Sequence, residues 1–422
     1  MKTSSVFSLV FALTLLAAWL AGCSSSQLAT ATDASAAPIS GSDQPATMET
    51  GNAEIDQLVR DNTSFAFDLY RQLFKPQSNL AFSPYSLSSS LALAYAGARH
   101  QTASQMAAAL HFNLPADQLH AAFDMLEQEL TNRDQADLSS ANALWAPSGR
   151  NYQVQFLETL AAHYGAGLQR VDFGHAEDSR LFINQWISEQ TDNHIQGLLP
   201  AGSIGAETEL MLTNAVYFQA AWAQPFAEDL TAVGTFTRLD GSEVSTPMMH
   251  QVAELGYASL DGLEAIELPY EGHEWSLLIL LPEPGRLADL VETLNPDMLA
   301  TILATVESTP VDLGLPRSNL SAPYQLKAAL MALGMRDAFG CADFSGIDGS
   351  LELFIDEIYH QADIALDEAG TQAAAASAIV MARKDTPAAQ ITVSVDRPFI
   401  FLIRDTRSGT ILFLGQVVDP SE

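Results

Sequence analysis

Positive charge is what this sequence has least of. Lysine occurs only at Lys2, Lys75, Lys327 and Lys384, and 19 Lys and Arg stand against 51 Asp and Glu, a formal net charge of −32. A field of that sign repels phosphate backbones and anionic headgroups, so no nucleic-acid partner is expected, and no basic cluster exists to bind a polyanionic activator. Enzyme signatures are missing as well. There is no G-x-S-x-G elbow, no H-E-x-x-H and no C-x-x-C, and "GAGLQR" (Gly165 to Arg170) lacks the third glycine of a dinucleotide loop. The nine histidines are scattered; His100, His111 and His120 fall on or beside amphipathic helices without the close pairing that zinc ligation needs. Neither an enzyme nor a metal or other cofactor is expected.

Long apolar runs are also scarce. One, Val6 to Leu20, follows Lys2 and leads into "LAGC", Leu20 to Cys23. A spanning helix needs about 20 apolar residues, and this shorter run ends in small residues before a cysteine, which resembles the lipobox of bacterial lipoproteins. The resemblance implies that residues 1–22 are a signal peptide and that Cys23 is lipidated. With Ser24 behind it, the protein is expected at the cell envelope, on the outer membrane, facing the periplasm or the exterior. Residues 23–51 carry Ser, Thr, Ala, Pro and Gly without apolar periodicity, a flexible tether reaching on the order of 30 Å. Lipidation of Cys23 leaves Cys341 without a partner, so no disulfide is expected, and Cys341 reads as a small buried hydrophobe.

Residues 52–422 show no linker, repeat or low-complexity break and read as one mixed α/β domain of α+β type. Ile55, Leu58, Asn62, Phe65, Leu69 and Leu73 recur at helical spacing, and Pro84 precedes an Ala/Leu-rich helix ending near Gly97. Further helices fit Thr102 to Leu110, Ala116 to Leu130, Val154 to Tyr164 and Ser179 to His194. "LMLTNAVYFQAAW" and "AIELPY...SLLILLP" have strand character, and "RPFIFLIRD" and "TILFLGQVV" flank Thr406 to Gly409 as a buried hairpin. Between the strand-like "ADIALDE" and the strand "ITVSV" lie about twenty residues without a core pattern, a connection whose length suggests function. Its stretch "EAGTQAAAASAIVMARKD" (Glu368 to Asp385) is Ala-rich and ends in Arg383-Lys384, a basic pair in a chain nearly devoid of lysine.

Several motifs, in order, resemble the serpin family from about Asn52 to Pro420. These are "NLAFSPYSLSSSLALAYAGA" (Asn79 to Ala98), "LTNAVYFQAAWAQPF" (Leu212 to Phe226), "EAGTQAAAAS" (Glu368 to Ser377) and "DRPFIFLIRDTRSGTILFLGQVVDP" (Asp396 to Pro420). The resemblance implies the serpin fold: three β-sheets, about eight or nine helices and an exposed reactive-centre loop over about residues 368–390. It also implies a monomeric inhibitor that a target serine protease attacks as a substrate, and whose cleaved loop inserts into the main sheet with the acyl-enzyme attached.

Glu368, Gly370, Thr371, Ala373, Ala374, Ala375 and Ala376 match the hinge of that loop. A loop that becomes a central strand needs small side chains on the face that slides underneath and no Pro to remove ladder donors; by period two, Thr371, Ala373, Ala375 and Ser377 share one face. The stretch alone is also compatible with an Ala-rich helix. In the uncut loop, a charge at position 371 would be expected to stay in water. Counting from Glu368, Lys384 is the seventeenth residue, the family's usual position before the scissile bond. The expected reactive bond is therefore Lys384-Asp385, with Arg383-Lys384 as alternative, and a basic residue there suits a trypsin-like target. "AIVM" (Ala378 to Met381) would instead attract an elastase-like, subtilisin-like or cysteine protease at a bond nearer Met381, and a non-inhibitory serpin acting as a binding module is the other alternative. The resemblance further places Ser83, Ser86, Asn214 and His360 in a polar cluster under the sheet centre. It places Trp222 at the breach where insertion begins, and Arg317 in a salt bridge with Glu368.

Overall fold

The computed structural model describes residues 50–133, 136–165, 167–205, 207–371 and 391–422. In α1 (Thr50–Leu73) the periodic residues Ile55, Leu58, Phe65 and Leu69 are all buried. α2 (Pro84–Gly97) begins where the Ser83 side chain accepts from the Ser86 N–H, with Pro84 in the first turn, where a missing donor costs nothing. It is buried on nearly every side, from Tyr85 to Gly97, so it runs through the core and lacks an amphipathic stripe. α3 (His100–Ala109), α4 (Ala116–Thr131), α5 (Val154–His163) and α6 (Ala176–Gln190) follow, each overlapping an expected helix. α7 (Leu287–Thr293), α8 (Pro296–Thr305), α9 (Lys327–Ala332) and α10 (Ser345–Asp348) lie between strands. The described residues thus hold ten α-helices; the last two, six and four residues long, are too short to show a period in sequence.

The strands are β1 (Leu80–Phe82), β2 (Ala136–Pro147), β3 (Leu168–Val171), β4 (Leu210–Ala221), β5 (Ala232–Thr237), β6 (Glu243–Leu260), β7 (Leu263–Pro269) and β8 (Trp275–Pro282). They continue with β9 (Glu307–Pro316), β10 (Ser318–Gln325), β11 (Ile355–Leu366), β12 (Gly370–Thr371), β13 (Ile391–Ser394), β14 (Phe399–Asp405) and β15 (Ile411–Val417). Among the described residues these strands form two hydrogen-bonded sheets. One runs β1-β15-β14-β8-β7-β6-β9-β13 with β5 on β6, the other β10-β11-β12-β4-β2-β3. Two of the three expected sheets are continuous because β6, 18 residues long, pairs β5 near its start and β7 at its end, with β9 alongside.

The six-stranded sheet separates two cores. Along β4, Leu212, Val216, Phe218 and Ala220 face the main core, while Met211 and Ala215 face a second core with Ile183 and Ile187 of α6. β4 and β11 run parallel and paired from Leu210↔Ile355 to Tyr217↔Asp363, then part. β12 enters the opening, with Thr371 opposite both Leu366 and Ala220 and Gly370 opposite Ala221. Cys341 is exposed, contrary to the burial expected of it; Ala338, Phe339 and Ala342 around it take the inward positions.

Candidate functional site

The chain leaves β11 through a tight turn. Asp367 accepts from the N–H groups of Ala369 (2.8 Å) and Gly370 (3.0 Å), and its own N–H donates to the Gly370 carbonyl (3.0 Å). The next two residues fill the gap above Tyr217 and Asp363, where the parted strands would otherwise leave backbone groups unpaired. Gly370 is required there: a Cβ would lie 2.0 Å from the Ala220 carbonyl oxygen and 2.8 Å from the Ala221 Cα. Thr371 is fully buried, its hydroxyl 2.5 Å from that of Tyr270. This corrects the expectation that a side chain at 371 stays in water before cleavage, because the sheet has already opened far enough to take it. Ala373, Ala374, Ala375, Ala376, Arg383, Lys384, Asp385 and Cys23 lie outside the described residues.

Beside the turn, the Trp222 ring stacks on Tyr270, centroids 4.6 Å apart and planes at 12°, and its Nε1–H donates to the Asp367 carbonyl at 2.9 Å. The backbone N–H groups of Trp222 and Phe226 donate to the carbonyls of Ala369 and Glu368. Arg317 reaches Glu368 Oε1 through Nη2 (2.6 Å) and Nε (2.9 Å), and the Thr231 hydroxyl donates to the same oxygen. Burial pushes the Glu368 carboxyl up, but the donors Arg317 and Thr231 outweigh it and hold the group below its usual range.

Below the opening, Ser83, Ser86, Asn214 and His360 form one buried network. The Ser83 N–H donates to His360 Nε2 (3.1 Å), so Nδ1 carries the proton and donates to Asn214 Oδ1 (2.5 Å). The Asn214 amide nitrogen is shared among the hydroxyls of Ser86 (2.7 Å) and Ser90 (2.8 Å) and the Asn142 side-chain oxygen. Ser90, Asn142 and Tyr270 were not anticipated. Asn142, a polar residue between buried Ala141 and Ala143, could have been singled out had β2 been recognised. Elsewhere His100, His111 and His120 bond to Asp343, Asp68 and Tyr164.

Burial pushes His360 down to about 3, so it is neutral across the physiological range. The unfolded chain takes up this proton near pH 6.5. His360 therefore contributes stability that is complete above pH 6.5 and lost as pH falls toward 3. The slope approaches about 1.4 kcal/mol per pH unit, on the order of 2 kcal/mol by pH 5. Denaturant unfolding at pH 7 and pH 5 is expected to show that loss in wild type and a smaller one in His360→Gln, whose amide oxygen can still accept from Ser83. Equal losses would contradict a buried neutral imidazole.

A sequence profile described as serpin (serine protease inhibitor) matches residues 60–420. An uncharacterized serpin-like protein of Thermococcus kodakarensis is 36% identical over 371 residues, covering 86% of each chain. Human leukocyte elastase inhibitor is 36% identical over 382 residues, 87% of this chain and 100% of its own. Uncleaved ovalbumin superposes with a TM-score of 0.78 at 26% identity, covering 86% of this chain and 100% of its own. Human thyroxine-binding globulin complexed with its hormone gives 0.81 at 28%, covering 87% and 100%. By profile, relatives and fold, the chain belongs to the serpin family, whose members include protease inhibitors.

Proposed function

We propose that this protein traps a trypsin-like serine protease by inserting its cleaved loop between β4 and β11. The observation that carries this reading is the hinge: Gly370 and Thr371 already pair antiparallel with β4 at the open end of the sheet. Continuing the register Thr371↔Ala220 brings Ser377 opposite Asn214 and Met381 opposite Leu210, where β4 begins, so residues 372–381 can be accommodated. Positions 373, 375 and 377 then lie over the main core beside Phe218, Val216 and Asn214, and all three are small: Ala, Ala and Ser.

The protease serine attacks the Lys384 carbonyl, forming an ester as the Asp385 amine leaves. Release of that bond frees residues 372–384 to enter the sheet. Ten residues at about 3.3 Å each carry the attached enzyme roughly 30 Å toward the far end of β4. Insertion competes with hydrolysis of the ester, and the faster process decides whether the enzyme is trapped or released. The pattern from Leu20 to Cys23 supports a lipid anchor at the cell envelope, with residues 23–51 as tether.

A panel of proteases is expected to yield a complex with a trypsin-like enzyme that survives denaturing electrophoresis. Arg383→Ala with Lys384→Ala is expected to abolish that complex while leaving the unfolding midpoint unchanged, because only recognition of the basic side chain is removed. A double variant that traps trypsin at the wild-type rate would refute the assignment of the bond. A complex only with an elastase-like enzyme would move it toward Met381, and no complex with any enzyme would favour a non-inhibitory binding role.

A further inference from the structure

We infer that Tyr270 is a positioning residue that sets the register of the hinge through Thr371; the inference rests on the insertion reading above. Tyr270 is fully buried just beyond β7, and its ring is held from several sides. Trp222 stacks on one face, Phe218 meets it edge-on at 5.4 Å, and its backbone N–H donates to the Trp275 carbonyl. The hydroxyl therefore cannot follow a hinge that moves. Its partner is the Thr371 hydroxyl at 2.5 Å.

This contact discriminates between registers because side chains in a strand alternate between faces. A slip of one residue toward the carboxyl end would put Gly370 opposite Tyr270 and leave a buried phenol without a partner. The same slip would turn positions 373, 375 and 377 away from the main core. Once Thr371 is aligned, each later residue of the loop inherits the correct face, so insertion proceeds from a strand already begun. Without the alignment, part of the population inserts out of register, stalls, and loses its protease by ester hydrolysis.

Tyr270→Phe removes the hydroxyl and keeps the ring stack; Thr371→Val removes the same bond from the other side, and Thr371→Ser retains it. Hydrogen exchange on the uncleaved protein, with no protease present, is expected to show the amides of Gly370 and Thr371 protected in wild type. Exchange should be about tenfold faster in Tyr270→Phe and Thr371→Val, a conversion of roughly 1.4 kcal/mol, and close to wild type in Thr371→Ser. The molar ratio of inhibitor to trypsin needed for full inhibition should rise severalfold in the first two variants at an unchanged rate of loop cleavage, and should be no higher in their double mutant. Unchanged exchange in Tyr270→Phe, or a Thr371→Ser protein that behaves like Thr371→Val, overturns the inference. Because exchange is read without an enzyme, a wild-type protein that traps no protease would count against the proposed function and leave the hinge result to stand or fall separately.

Discussion

Thr371→Arg is expected to turn the inhibitor into a substrate and also to weaken the uncleaved fold. Thr371 is fully buried between β4 and β11, opposite Ala220 and Leu366, with its hydroxyl on that of Tyr270. Keeping a guanidinium there without a counter-ion costs several kcal/mol. The uncleaved protein escapes by expelling β12, which loses the pairing to Ala220, Ala221 and Leu366. A loss of about 2 to 3 kcal/mol lowers the unfolding midpoint of a domain this size by roughly 3 °C. Cleavage itself needs only access to the bond and continues. Insertion must now drive the charge under the sheet, and about 3 kcal/mol added to that barrier slows it more than a hundredfold. The acyl-enzyme then hydrolyses first. The expected readings are a many-fold higher ratio of protein to trypsin for full inhibition, little denaturation-resistant complex, and a lower midpoint before any cleavage. A ratio equal to wild type would show that trapping does not pass through this position.

The parts of the fold that sequence made legible are those whose burial follows one period. α1 has a single apolar stripe, and β14 and β15 are apolar runs flanking a short turn, so both are visible without partners. β2 is not. Its first five residues, Ala136 to Ser140, hold one large apolar side chain, Leu138, among small and polar ones, none of them buried, and they form a strand because β4 offers a ladder from Ala220 to Met211. The polar network under the sheet joins residues 146 and 128 positions apart, His360 to Asn214 and Asn214 to Ser86. Family resemblance could point to those residues, whereas local spacing could not. Tyr270 meets Thr371 across 101 residues, and Asn142 meets Asn214 across 72. The burial of Thr371 depends on where β4 and β11 part, beyond Tyr217 and Asp363, a long-range feature that leaves no mark in the segment around the hinge.

Loop cleavage is expected to make the protein more stable, the reverse of what a cut does to an ordinary fold. In the uncleaved chain β4 and β11 share a parallel ladder from Leu210 to Tyr217, and the sheet is open only above it. A freed loop entering along the register of β12 replaces that one ladder by two antiparallel ones. About ten additional hydrogen bonds at roughly 1 kcal/mol net each give on the order of 10 kcal/mol. For a domain of this size that corresponds to a midpoint higher by on the order of 10 °C. The network at Asn214 and His360 lies in the path, and its direct 2.5 Å bond must open for the strand to pass. On the proposed mechanism, that opening adds to the barrier to insertion.

The central claim, that the uncleaved sheet is a strained state relieved by insertion, is tested most directly by calorimetry on intact protein and on protein cut once between Ala378 and Asp385 by a protease it does not trap. The account predicts a midpoint for the cut protein higher by on the order of 10 °C. A midpoint equal to or below that of the intact protein would contradict it.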